Sequence, residues 1–391
     1  MKLLLNNDLN YKLREVVNSD DFFWKDTNQK ENWHLICAAM DRLDSSVGYI
    51  NNHSNYSADE NDIILFFVHC SIIKDAISQV SKALKIDCSN KENIFFKYVK
   101  DYGIFEKIEE YENYRGSKNV ADDQFYEYLR SLIFAHPSET SYSIPNRIQN
   151  EIQYSPYLLS GRFDFHNDYK DSIGVEIYSN KREISHICIS FNDLKKYIKN
   201  KHNKTDLIIN KYKIIVEEFK KEKKKHKVDR KQDDILILKE IANILDERYL
   251  EHYDIDKLID NIECALTVKS NYKNVDIYRN QIKMIIPDLC DAIDTYDCDA
   301  IYKICYELLY ARPKAHQMMY YQLEKIFCYL NDDGYGDVEW GLIQAEAFSK
   351  EFAKKWVTIK PYDMSFKEIK LLVNVACYLE YKEQIKESKN E

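Results

Sequence analysis

Two consecutive apolar patterns constrain this chain more than any other feature. Trp33, Ile36, Met40, Leu43, Val47 and Ile50 recur at alternating spacings of three and four, which lays one apolar stripe along a helix of about five turns. A stripe of that length needs a long partner to cover it. After the polar stretch 51–57, the run Ile63–Leu84 is apolar nearly all round, the pattern of a central buried helix. Ser57-Ala58-Asp59-Glu60 has the form of a capping box just ahead of it.

The rest of the chain fits a mainly α class. Only 8 Gly and 6 Pro in 391 residues argue against a turn-dense β fold, and 45% apolar content is ample for two or three cores. Residues 1–30 read as a polar lead-in and 31–145 as a helical domain. Within that domain short helices are expected around Ile94–Val99 and Ile104–Tyr111, followed by a turn at Arg115-Gly116-Ser117. From Ala121 the positions Phe125, Tyr128, Leu129, Leu132 and Ile133 follow helical spacing, with Asp122 and Asp123 suited to the positive N-terminal end. Pro137 disfavours helical backbone at His136, so the helix should stop there.

Residues 146–191 change to period-two alternation in Ser160–Phe165, Ser172–Tyr178 and Ile184–Phe191, with Ser179-Asn180-Lys181 between two of these runs. This predicts a small antiparallel β insert. Residues 192–232 read as one long basic helix ending in a lysine run, with a hinge over Val228–Gln232. Residues 233–391 form a separate all-α domain, with segments near 234–249, 254–268, 273–311, 314–330, 338–358 and 365–386, punctuated by Pro287, Pro313 and Pro361.

Charge and cysteine usage narrow the function classes. A net charge of −9 rules out a cationic nucleic-acid coat, so any RNA contact must be focal. The candidate for it is the run containing Lys223, Lys224, Lys225 and Lys227, whose bland alternative is a solvated helix end. The 10 Cys never form a C-x-x-C pair and read as reduced, small apolar residues. No Cys/His spacing suggests a metal, and no cofactor is expected. The N-terminal apolar stretch is too short for a signal peptide and Ile63–Val68 too short for a membrane span, so a cytoplasmic protein without membrane association is expected.

The candidate site is Leu129-Arg130-Ser131-Leu132-Ile133-Phe134-Ala135-His136-Pro137. Arginine is a permanent planar cation that grips phosphate in two places, and histidine exchanges a proton near neutral pH. Together they suffice to cleave RNA without a metal. The bland reading is that Arg130 pairs with Glu127 one turn earlier and His136 caps the helix. On an ideal helix, six residues turn through about 600°, so the two side chains converge only where the helix ends or where two copies cooperate. Elsewhere, Arg248/His252 reads as a surface pair, His69 as a satisfied core histidine, and most of the 31 Tyr as packing.

The stretch from Leu129 to Pro137 resembles the Arg-x(4–6)-His signature of the HEPN superfamily of ribonucleases. The helices from 31 to 84 fit that family's up-down helical bundle, and the layout is similar to the Abi-like, abortive-infection members. The resemblance implies a metal-independent endoribonuclease in phage defence or toxin–antitoxin control, acting as a homodimer on an RNA substrate, with an antitoxin or regulatory RNA as a further partner. It implies catalytic roles for Arg130 and His136; Ser131 stands where the family most often has Asn, His or Asp, and Ser131 and Glu127 are taken as supporting residues. The alternative is a non-catalytic RNA- or protein-binding scaffold of a defence system.

Overall fold

The stripe that begins at Trp33 forms a 23-residue helix, Lys30–Asn52, whose positions Ile36, Met40, Leu43, Val47 and Ile50 are all buried. The computed structural model describes residues 4–57, 59–96, 98–103, 109–112, 120–142, 150–160, 171–181, 184–315, 318–331 and 336–390. It divides into two compact units, 1–217 and 218–391. The protein is mainly helical with a small antiparallel sheet.

In the N-terminal unit the first elements are α1 (Asn7–Asn18), α2 (Phe22–Lys25), α3 (Lys30–Asn52) and α4 (Glu60–Ala83). The lead-in expected over 1–30 is part of the core. Leu5, Leu9, Leu13, Val17, Phe22 and Phe23 are buried, and Asn51 of α3 clamps Leu5 by accepting from its N–H at 2.8 Å and donating to its carbonyl at 3.1 Å. Each of these large apolar side chains contributes about 1.5–3 kcal/mol when fully buried, and the polar residues between them hid the periodicity.

Asp59 is the N-cap of α4, accepting from the amides of Asn61 and Asp62, so the cap lies two residues beyond the expected Ser57. α4 is long and apolar enough to cross a membrane by length and composition, and 56% of its most apolar window is buried inside the fold. His69 is half-buried, bonded to Ser46 at 3.2 Å and stacked on Tyr49 with ring centroids 4.0 Å apart.

The chain continues with β1 (Tyr98–Gly103), β2 (Glu109–Glu112), α5 (Asp122–Arg130), β3 (Gln153–Tyr154), β4 (Leu158–Ser160), β5 (Ser172–Ser179), β6 (Ser185–Ser190), α6 (Phe191–Asn203) and α7 (Thr205–Lys223). The short helices expected around Ile94–Val99 and Ile104–Tyr111 are corrected where they are described: Tyr98–Gly103 and Glu109–Glu112 pair antiparallel as β1 and β2, in keeping with the aromatic and β-branched residues of Tyr98-Val99, while 104–108 lie outside the described residues. The turn expected at Arg115-Gly116-Ser117 lies outside the described residues. β1 also pairs with β6, β6 with β5, and β5 with β3 and β4, all antiparallel. The sheet therefore draws strands from both sides of α5 and is not confined to 146–191. Ile173 faces Ile189 and Val175 faces Ile187, the alternation read from the sequence.

The single helix expected from 193 is two, broken at Lys204. Thr205 Oγ1 donates to the His202 carbonyl at 2.6 Å there, a local side-chain bond that competes with helix continuation. Tyr126, Phe67, Tyr197, Phe96 and Phe125 form the aromatic centre where α4, α5 and α6 meet.

The C-terminal unit comprises α8 (Asp234–Glu247), α9 (Tyr253–Glu263), α10 (Tyr272–Thr295), α11 (Cys298–Leu309), α12 (Met319–Tyr329), α13 (Val338–Glu351) and α14 (Phe366–Asn390) around a core from Ile237 to Tyr378. Pro287 lies inside α10, and the break falls at Tyr296, which adopts left-handed backbone with φ 63°. The Arg248/His252 surface pair is also corrected. Arg248 is 3% exposed and donates to the carbonyls of Ile293 at 2.7 Å and Lys223 at 3.2 Å, while His252 bonds Asp256 at 2.8 Å.

Candidate functional site

α5 is fixed at its start by carboxylates that do more than face a helix dipole. Asp122, fully buried, accepts from the amides of Ile94, Phe95 and Phe96. Asp123 accepts from Tyr197 Oη and from the buried Lys201 ammonium, each at 2.8 Å. With Phe125, Tyr126, Tyr128 and Leu129 buried, the helix can neither slide nor rotate, and its last residue, Arg130, is placed firmly.

Beyond Arg130 the helix widens. Ser131–Ala135 is a π-turn closed by the His136 amide, which donates to the Ser131 carbonyl at 2.9 Å. Such π segments occur often at functional sites. His136 then leaves the helix with φ −144° and ψ 51°, as Pro137 dictates. The following loop is held against β3. Thr140 and Gln153 exchange backbone bonds of 2.8 and 3.1 Å, Ser155 N–H donates to the Pro137 carbonyl at 2.7 Å, and Ser131 Oγ bonds Thr140 Oγ1.

Together these segments enclose an open cleft of about 460 Å³ lined by Glu127, Arg130, Ser131, His136, Thr140 and Tyr142. The four residues singled out in the motif thus share one cleft within one chain. His136 is exposed at its rim, and Ser131 is buried, with its hydroxyl occupied by Thr140. Arg130 is partly exposed, donates through Nη1 to Glu127 Oε2 at 3.0 Å, and lies 5.9 Å from the Phe134 ring. Its Nε is buried and has no partner among the described residues.

Glu127 is shared, because Lys74 of α4 bonds its other oxygen, Oε1. Burial pushes the Glu127 carboxyl up, but Lys74 and Arg130 outweigh it and hold the group below the ordinary range. Burial likewise works against the Arg130 charge, and Glu127 more than restores it. Burial raises the Tyr142 phenol, assisted by Glu127, so it stays a donor at neutral pH.

Lys74, Thr140 and Tyr142 were not singled out from the sequence. Lys74 carried a usable signal: with Asp75 it interrupts the apolar middle of Ile63–Leu84, and a lysine there demands a carboxylate. Thr140 and Tyr142 sit in a loop whose position depends on β3, and no local pattern reveals it.

The lysine run belongs to the C-terminal unit and is largely engaged. Lys223 lies 3.8 Å from Glu247, Lys225 pairs with Glu222, and Lys227 donates to the Asp294 carbonyl at 2.5 Å, while Lys224 is exposed. Larger clefts, each about 600 Å³, flank His252 in that unit, and no arginine lines either. Among the described residues no group of three or more His, Cys, Asp or Glu could hold a metal ion. No protein-family model, curated protein or solved structure matches this chain.

Proposed function

We propose that this chain is a metal-independent endoribonuclease of the HEPN type, serving bacterial phage defence or toxin–antitoxin control. The observation that carries the reading is the single open cleft lined by both Arg130 and His136. An arginine anchored on one edge by a carboxylate can present its remaining N–H groups to a phosphate. A solvent-reachable imidazole at the rim can exchange protons with the substrate.

In the proposed reaction His136 takes the proton of the ribose 2′-OH and the 2′-oxygen attacks the adjacent phosphorus. Arg130 balances the charge that develops on the pentacoordinate phosphate. The P–O5′ bond breaks, the leaving 5′-oxygen takes up a proton from water while His136 releases its own to solvent, and the products are a 2′,3′-cyclic phosphate and a 5′-OH. DNA lacks the nucleophile and resists. The chain would act as a homodimer, with an antitoxin or a regulatory RNA as a further partner that controls this cleft.

The test is incubation of purified protein with single-stranded RNA in EDTA. The expected result is cleavage by the wild type, a loss of roughly 100-fold or more in Arg130→Ala and in His136→Ala, and cyclic-phosphate ends. Cleavage that persists in both variants removes the assignment. Binding without cleavage in the wild type would favour the scaffold alternative.

A further inference from the structure

We propose that Lys74 is a positioning residue for the phosphate-binding arginine: it holds Glu127 through one carboxylate oxygen so that Arg130 can exchange the other for a substrate phosphate. This rests on the ribonuclease reading of the cleft and concerns how that cleft accepts its anion.

Glu127 would otherwise be an obstacle. A carboxylate that already occupies Arg130 Nη1 at 3.0 Å competes with any phosphate for the same guanidinium, and it adds negative charge where an anion must enter. If Arg130 were its only counter-ion, releasing it would leave a half-buried charge unpaired, which is strongly unfavourable. The two cations instead take separate oxygens, Lys74 on Oε1 and Arg130 on Oε2. When Arg130 turns to a phosphate, Lys74 still neutralises Glu127.

Lys74 suits that task because it cannot leave. Its side chain is 11% exposed and rises from the core helix α4, whereas the Arg130 side chain is 34% exposed and its buried Nε has no partner among the described residues. Among the described residues the other ionisable groups around the cluster include Asp75, whose carboxylate lies 3.9 Å from the Lys74 ammonium, the buried Lys201 and the buried phenols of Tyr126 and Tyr197, and Glu139, Tyr142 and His136 at the cleft wall. Asp75 and Glu139 add negative charge, which makes the contribution of Lys74 more necessary.

The experiment measures affinity for a single-stranded, 2′-O-methylated RNA of mixed sequence by fluorescence anisotropy, and KM and kcat on the unmodified RNA. Lys74→Met fills the same volume without the charge. It is expected to weaken binding and raise KM about 10-fold, with a smaller change in kcat. Lys74→Arg is expected to retain near-wild-type affinity. The double variant Lys74→Met/Glu127→Gln is expected to regain affinity, because the competing carboxylate is gone; urea unfolding of Lys74→Met measured alongside separates a structural role, since a loss of affinity that only tracks a loss of folded protein overturns the inference. Binding that depends on Arg130 but is unchanged in Lys74→Met, or is not recovered in the double variant, overturns the inference alone. Binding unchanged in Arg130→Ala removes the ribonuclease reading and this inference with it.

Discussion

Acidification should destabilise the N-terminal unit through one imidazole. His202 is fully buried, and its Nε2 lies 2.9 Å from Asn10 Oδ1. The Asn10 amide nitrogen donates to Asp44 Oδ1 at 3.0 Å, so its oxygen is the acceptor and His202 Nε2 must carry the hydrogen. Nδ1 is then the unprotonated nitrogen, and it has no partner among the described residues. A second proton would have to sit on that nitrogen, in the interior and without an acceptor. Burial accordingly lowers the His202 pKa from 6.5 to about 4.

Because the unfolded chain binds the extra proton at higher pH than the folded one, stability rises with pH across this window. The contribution is fully present above pH 6.5 and fades as pH falls toward about 4. At roughly 1.4 kcal/mol per pH unit, the loss is about 3 kcal/mol. Urea unfolding at pH 7.5 and pH 4 checks this, read by fluorescence from Trp24 and Trp33 in a Trp340→Phe/Trp356→Phe background. His202→Gln keeps an N–H donor for Asn10 and removes the titration. The wild type should lose about 3 kcal/mol more than this variant on acidification. Equal losses, or a His202 imidazole that titrates near 6.5 by NMR, would refute the burial argument.

Two further perturbations follow from buried charges. Arg248→Met should destabilise the C-terminal unit by about 3 kcal/mol, because the carbonyls of Ile293 and Lys223 lose a charged donor; thermal unfolding with no loss of Tm would contradict it. Asp122→Ala should cost about 2–3 kcal/mol, since the amides of Ile94, Phe95 and Phe96 lose their shared acceptor. Asp122→Asn, which keeps one oxygen acceptor, should cost less in the same urea titration.

The parts of the fold legible in the sequence are those where one period governs a long stretch. α3, α4, α8 and α14, together with the alternation in β5 and β6, announce themselves because burial on one face repeats at 3.6 or 2 residues. What escaped depends on tertiary context. Leu9, Leu13 and Val17 are spaced like a helix face but sit among asparagines, and it takes distant partners, Asn51 and Asp44 on α3 and His202 on α6, to make that segment part of the core. The hairpin β1–β2 was read as helix because Tyr98, Val99 and Tyr102 serve either period, and pairing of β1 with β6 settles it. The segment 273–311 reads as one stretch punctuated by Pro287, yet the long face of α10 carries the proline, and the chain turns instead at Tyr296.

The candidate site was half legible, and the missing half is geometric. A regular α-helix would set Arg130 and His136 on different sides, which made a second copy of the chain the natural way to join them. Within one chain the π-turn over Ser131–Ala135 changes the winding, and His136 then leaves the helical conformation, with φ −144° and ψ 51°, toward a loop that β3 holds in place. Ser131 is buried against Thr140 rather than facing solvent, so its hydroxyl holds the loop. Ser131→Ala should therefore act through placement: it removes the bond to Thr140 at a cost of about 1 kcal/mol. In the proposed ribonuclease reaction its effect should be small beside that of Arg130→Ala, and an equally large loss would give Ser131 a direct part in the chemistry.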